Sequence, residues 1–134
     1  ICEQLKSRTR TSYTRYMKKE KHEGGYLLYQ DLMYSSLQTN LKAQFRFAYF
    51  DTDSYNTRIY AYENNVLYGY SFPALYDRGF RSYLNLNWKP FSLITLYLKA
   101  GLTYYPDKST ISSSLTQVND NKLFDLSFQI RIKL

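Results

Sequence analysis

The chain of 134 residues is poor in the residue types that most directly indicate chemistry. It has one Cys and one His, which excludes an internal disulfide framework, a Cys-based zinc cluster and a metal site built on a His pair. With only 5 Gly and 3 Pro, it does not have the composition of a collagen-like or disordered chain. No run approaches the ~18 apolar residues of a membrane-spanning helix.

Aromatic residues and positive charge are abundant instead. The chain holds 16 Tyr, 8 Phe and 1 Trp, and its 18 Lys and Arg outnumber its 11 Asp and Glu. A basic, aromatic composition also fits nucleic-acid binding. Here the cations alternate with polar residues inside extended segments and do not cluster on one platform, so we do not expect nucleic acid as a partner.

Strict alternation of apolar and polar residues is the dominant pattern. It runs through residues 41–49, 80–89, 94–105 and 124–134. Successive side chains of a strand point to opposite sides, so each run predicts one apolar and one polar face. These runs exceed the ~5–6 residues of a common strand and match the ~9–11 of a membrane-crossing one. Residues 1–24 are weakly patterned and predict a first strand followed by a loop.

The predicted connections alternate in length. Residues 36–40 and 88–93 form short joints, whereas 18–25, 51–57 and 106–121 are longer and polar. Asn64-Asn65 is a candidate two-residue turn between strand-like segments 58–62 and 66–70. Short turns at one end and long loops at the other are typical of outer-membrane barrels.

Aromatic residues gather near the strand ends, where a membrane barrel meets the lipid–water interface. We therefore predict an all-β, antiparallel up-and-down transmembrane β-barrel, or about the last six to eight strands of a larger one, as a single domain over residues 1–134. The alternative is a soluble secreted β-sandwich or barrel that binds ligands and turns its apolar face inward. The predicted interface aromatics are Tyr49, Trp88, Phe91, Tyr104 and Tyr105.

Four segments of the sequence carry a resemblance to a known family: residues 47–55 (FAYFDTDSY), 58–64 (RIYAYEN), 83–86 (YLNL) and Lys89-Pro90. Together they resemble the C-terminal barrel of Bacteroidota outer-membrane proteins, in particular helix-hairpin-helix-containing, competence-related ones. The resemblance covers roughly the last two thirds of the chain. The helix-hairpin-helix domains themselves have no match here, so DNA binding does not transfer.

The resemblance implies a C-terminal piece of a longer protein in the outer membrane of a Gram-negative bacterium. Its expected partners are outer-membrane lipid and lipopolysaccharide, the barrel-assembly machinery, and the missing N-terminal part of the same protein. The last strand would be the assembly signal, although such strands commonly end in an aromatic residue and this one ends in Leu. The residues of that signal are Phe128, Ile130, Ile132 and Leu134.

Seven cations fall on the faces opposite the apolar ones, and in a barrel they would face the lumen. One interpretation is an interior that favours anions. The interpretation we prefer is that they pair with carboxylates such as Asp31 and Asp125 and fill a narrow barrel. The seven predicted lumen-facing cations are Lys42, Arg46, Arg81, Lys89, Lys99, Arg131 and Lys133.

Catalysis and cofactors have little support in the sequence. A third interpretation, an outer-membrane barrel enzyme, rests on His22 alone, which lies in a charged segment that we expect to be solvated. The oxygens of residues 51–56 (DTDSYN) are spaced closely enough to suggest Ca²⁺, but local turn formation explains them better. We expect no catalysis, metal or cofactor.

Overall fold

The computed structural model describes residues 3–111 and 119–133. Six of its eight strands form one antiparallel sheet in which each strand lies beside the next of the six along the chain. The all-β, antiparallel prediction is confirmed. In spatial order these strands are β1 (Glu3–Lys18), β2 (Lys21–Ser36), β3 (Leu41–Thr52), β6 (Arg78–Phe91), β7 (Ile94–Tyr104) and β8 (Lys122–Ile132).

Residues 53–77 connect β3 to β6 and fold back over the sheet. Within them, β4 (Ile59–Tyr60) pairs with β5 (Ala74–Leu75), and a bridge joins Glu63 to Ser71. We call residues 59–75 the inner hairpin. The predicted two-residue turn at Asn64-Asn65 is wrong. Residues 64–70 form a wide tip, and residues 66–70 are not a strand. In this tip Gly69 N donates to Val66 O at 2.9 Å.

The register divides the sheet into two faces. Directly paired residues point to the same side, so the pairs Tyr49–Phe80 and Phe80–Tyr104 place three aromatics together. We call their side the outward face. The opposite, inward face carries Asp31 and Arg46, which are also direct partners. Strands β3, β6, β7 and β8 thus have the two faces that the period-2 pattern predicts.

The β1–β2 connection is shorter than predicted. The ladder continues to the pair Lys18–Lys21, which leaves a two-residue turn, so the predicted loop at 18–25 is wrong. Gly24-Gly25 looks like loop sequence but lies inside β2. A Cβ on Gly25 would lie 2.8 Å from both Thr52 Cγ2 and Thr57 O, so this glycine allows close approach of the next connection.

The ends of the sheet alternate accordingly. The turn at 19–20, the connection at 53–77, the end of β7 and the start of β8 lie at one end, which we call the long-loop end. The turns at 37–40 and 92–93 lie at the other, the short-turn end. Within residues 3–111 and 119–133, β1 and β8 each have a partner strand on one side only, so the sheet is open there.

Gly25→Ala tests the close approach. We expect it to lower the free energy of unfolding by about 1–3 kcal/mol, because the methyl group would overlap backbone and a packed side chain. Gly24→Ala is the matched control: its Cβ would meet mainly the mobile end of Tyr13, 3.1 Å away. Urea unfolding of both variants measures the difference, and equal losses would contradict this account.

Candidate functional site

The inner hairpin covers the inward face near the long-loop end. Its apolar side chains pack on inward residues of the sheet and form a small buried cluster. The cluster contains Ile59, Ala61 and Leu75 from the hairpin, together with Leu27, Tyr29, Ala48, Phe50, Tyr105 and Ile111.

A buried ion cluster lies next to this apolar cluster on the inward face. Asp31 is fully buried and accepts hydrogen bonds from Arg46 Nε at 2.5 Å, Arg46 Nη2 at 2.8 Å and Arg8 Nη2 at 2.6 Å. The Arg46 guanidinium also lies 3.8 Å from the centroid of the Tyr29 ring. These are charge-assisted, partly bidentate bonds, which satisfy a carboxylate removed from water.

A second cluster joins the inner hairpin to the sheet, and we call it the Glu63 cluster. Glu63 is 1% exposed and accepts from Arg81 Nε at 2.5 Å, Arg81 Nη2 at 2.8 Å and Lys99 Nζ at 2.7 Å. Arg81 also donates to Thr103 at 2.7 Å and Asp125 at 3.0 Å. One hairpin carboxylate therefore holds cations from two neighbouring strands.

The two clusters are linked through the hairpin backbone. Arg46 Nη1 donates to the carbonyl oxygen of Tyr62 at 2.8 Å, one residue before Glu63. Beyond it, the Asn64 side chain donates to Gln44. Three successive hairpin residues, 62 to 64, are thus bonded to inward residues of β3, β6 and β7.

Opposing effects act on the pKa of Glu63. Burial raises this pKa, but the hydrogen bonds and charges of Arg81 and Lys99 lower it by more, so the net pKa lies below the usual value for Glu. The carboxylate therefore stays ionised at neutral pH and provides the negative charge that the two buried cations require.

The seven predicted lumen-facing cations separate into two groups. Arg46, Arg81 and Lys99 are buried in the two clusters. Lys42, Lys89 and Lys133 are exposed, and Arg131 is half-buried. The pairing with Asp31 and Asp125 expected from the sequence is present, through Arg46 and Arg81. Sequence reasoning missed Arg8 and Glu63, although Glu63 is the single acidic residue among the apolar and aromatic residues of the hairpin.

The predicted interface aromatics also separate. Tyr49 lies in an outward row with Tyr26, Phe80 and Tyr104, and successive ring centroids are 5.9, 5.2 and 6.5 Å apart. Trp88 and Phe91 are exposed near the short-turn end.

Tyr105 departs from the prediction that groups it with these aromatics. It is 3% exposed and packs edge-on against Phe50 with ring centroids 5.8 Å apart. The alternation of β7 puts residue 105 on the inward side, where the connection from β3 covers it. It belongs to the buried cluster under the inner hairpin.

The predicted assembly strand corresponds to β8. Phe128, Ile130 and Ile132 lie on its outward face and are exposed, Phe128 by 61%. Leu134 lies outside the described residues, as does the single cysteine, Cys2.

The remaining candidate residues have ordinary structural positions. His22 is exposed in β2 beside the turn at the long-loop end. Asp51 binds Arg78 at 3.2 Å, and Asp53 accepts from Gly24 N at 2.7 Å. Ser54 caps the short 3₁₀ helix Tyr55–Thr57. In the part of the chain that the structure describes, no three His, Cys, Asp or Glu residues are grouped to hold a metal ion.

A cavity of about 670 Å³ lies beneath the hairpin tip, towards the short-turn end. Strands β1, β2, β3, β6 and β7 supply its wall, and residues 64–70 supply its roof. No helix in the described ranges is long and apolar enough to cross a membrane. Comparisons with protein-family models, curated proteins and solved structures find no match.

Glu63→Gln tests the second cluster. Removing the negative charge leaves Arg81 and Lys99 buried without a full counter-charge, so we expect the free energy of unfolding to fall by about 3–5 kcal/mol. Asp107→Asn is the control, because Asp107 is exposed and lies 3.6 Å from an exposed Arg78. Urea unfolding of the control should match the unaltered chain, and a Glu63→Gln chain of unchanged stability would contradict the role given to Glu63.

The lowered pKa of Glu63 also predicts a pH dependence. A carboxylate whose pKa is lower in the folded state stabilises that state above its unfolded pKa of about 4.3. This stabilisation is lost as the pH falls through the folded value. The stability difference between the unaltered chain and Glu63→Gln should therefore be constant near neutral pH and shrink below about pH 5. Unfolding measured across this range tests it, and a difference independent of pH would contradict it.

Proposed function

We propose that the chain forms part of an outer-membrane β-barrel of a Gram-negative bacterium. Its role is structural or in transport or binding, without catalysis. One observation carries the proposal: the apolar face of the sheet is exposed, whereas the ion clusters are buried on the opposite face. A soluble β-barrel or sandwich has the reverse polarity, because it must remove its apolar face from water.

The exposed apolar surface is continuous from β2 to β8. Isolated exposed apolar residues are common in soluble proteins, but a contiguous sheet of them marks contact with lipid or protein. The large apolar residues on the outward faces of these five strands that are at least 37% exposed are Tyr26, Leu28, Leu32, Phe45, Phe47, Leu84, Trp88, Phe91, Leu102, Phe124, Leu126, Phe128, Ile130 and Ile132.

The aromatic rows support a lipid environment for this face. Phe80 belongs to the row at the long-loop end, and Trp88 lies further along β6 at the other. At ~3.3 Å per residue they are roughly 26 Å apart along the strand, about the length of the ~9–11 residues with which a tilted strand crosses the apolar band of a membrane. Tyr and Trp favour both edges of such a band because one part of the ring is polar.

The occupied interior favours a barrel larger than these six strands. An interior bounded by ~8 strands is filled by side chains alone, with no room for a folded connection. Here residues 53–77 lie against the inward face. Further strands would therefore be needed between β8 and β1, and the N-terminal part of the same protein is their proposed source. Short turns face the periplasm in such barrels, so the hairpin enters from outside.

Closure is also a physical requirement in lipid. An open strand edge in hydrocarbon leaves backbone groups without partners. The outward face of β1 differs from the others, since Ser7 and Thr9 are polar and bond to Gln30 of β2. On either side of this polar pair, the outward face of β1 carries the exposed apolar residues Leu5, Tyr13 and Met17.

Trp88 allows a direct experiment, because it is the only Trp of the chain. In phosphatidylcholine vesicles its emission should shift to the blue. Bromine placed near the lipid headgroups should quench it more than bromine at the chain ends, since Trp88 lies at one edge of the band. A chain that remains monomeric without detergent and whose Trp88 is not quenched would overturn the proposal.

Two charge substitutions on one strand provide the matched test. Leu126 and Ile132 are both outward on β8, 60% and 63% exposed, but Leu126 lies in the row of Leu84, midway between the aromatic edges. Leu126→Arg should cost about 2–4 kcal/mol for folding in vesicles, and Ile132→Arg about 0–1 kcal/mol. Equal, near-zero costs are the expectation for a face in water and would oppose the proposal.

A further inference from the structure

The charges of the inward face are segregated along the strands. The carboxylates Asp31, Glu63 and Asp125 all belong to the two ion clusters. From these clusters to the short-turn end, the inward positions of the described strands include no Asp or Glu. The hairpin tip, residues 64–70, is likewise uncharged. The cations of this part of the inward face therefore have no counter-charge beside them.

Lys6 and Lys42 are the cations that line the cavity beneath the hairpin tip. Both are exposed, and among the described residues neither has a salt-bridge partner. In a lumen with low-dielectric walls, an uncompensated positive pair attracts anions more strongly than it would on an open surface. We therefore expect a molecule that binds in this cavity to carry a negatively charged group.

The rest of the lining suits hydroxyl groups and a ring. The register places Lys42, Asn87 and Tyr97 side by side on three neighbouring strands, and Gln44 beside Asn85 one row higher. Amides both donate and accept, as hydroxyl groups do. Asn85 Nδ2 is buried without an acceptor in the described structure, so the protein does not use all the hydrogen-bonding capacity of this wall.

The roof of the cavity contains an exposed aromatic residue, Tyr68, whose backbone is strained. Tyr68 is 83% exposed and has φ of 63°, a left-handed conformation that is rare for a bulky side chain. Such outliers concentrate at binding sites. The cavity volume of about 670 Å³ is within the usual range for small-molecule sites.

We infer that this cavity binds an anionic saccharide, such as a sugar phosphate or a sugar acid. Its phosphate or carboxylate group pairs with Lys6 and Lys42, its hydroxyl groups bond to Gln44 and Asn87, and its ring packs on Tyr97 or Tyr68. The inference rests on the proposed function, because the barrel wall confines the cavity and leaves it open to the periplasmic end.

Calorimetry on the detergent-solubilised full chain tests the inference with four probes: glucose 6-phosphate, glucuronate, glucose and inorganic phosphate. We expect saturable binding of the first two, at least about tenfold tighter than of the last two. Lys6→Gln or Lys42→Gln should weaken it about ten- to hundredfold, the usual worth of a charged hydrogen bond. Lys122→Gln removes the same charge from an exposed site outside the cavity and should change affinity less than about twofold.

Three results would overturn the inference. Inorganic phosphate that binds as tightly as the sugar phosphate indicates an adventitious ion only. Equal weakening in Lys122→Gln and Lys42→Gln indicates attraction by net charge. Absence of saturable binding rejects the site outright. Trp88 quenching in vesicles is measured on the same variants, so a chain that inserts but binds no saccharide refutes this inference and leaves the membrane proposal standing.

Discussion

The position of the inner hairpin depends on one buried carboxylate. Glu63 is the only charge that the hairpin contributes to the interior, and it meets two cations, Arg81 and Lys99, that are themselves buried. Removing three charges from water is costly, and the cost is offset only when every one is bonded with good geometry. The hairpin and the inward face are therefore mutually dependent. Without Glu63, Lys99 loses its carboxylate partner and Arg81 is left with the half-buried Asp125; without the sheet, Glu63 loses both cations.

This dependence explains why the polarity of the sheet is reversed. The inward face combines ion pairs and amides with one small apolar core, which in the described structure is the contact around Phe50 and Ile59. Such a small core offsets little of the conformational entropy lost by six long strands. The large apolar area that would normally stabilise a sheet is on the outward face. This apolar area can be removed from water only by contact with a membrane or with another protein. The aromatic residues at its edges favour a membrane.

The strands and their faces could be predicted from the sequence because the period-2 pattern is local. Within β7 or β8, the position of a residue in the alternation is enough to assign it to one face. Features that depend on distant contacts could not. Gly25 is read as loop until Thr57 O is known to lie where its Cβ would be. Nothing near Glu63 in the sequence indicates its partner, because Arg81 lies 18 positions away and reaches it only in the folded chain. Tyr105 resembled an edge aromatic because nothing local indicated that a connection 30 or more residues earlier would cover it.

The two interpretations of the cationic interior, a plug and an anion-favouring lumen, apply to different halves of the same face. Near the long-loop end the hairpin supplies Glu63, the sheet supplies Asp31 and Asp125, and these acids neutralise the cations there. Towards the short-turn end no such acids follow, and the hairpin tip, which lines the same cavity as Lys42 and Lys6, is uncharged. In the proposed barrel, a connection that closes one end would thereby leave a positively charged chamber at the other. The occlusion of the proposed barrel and the anion binding that we infer would then both follow from the same hairpin, with its tip as the boundary between them.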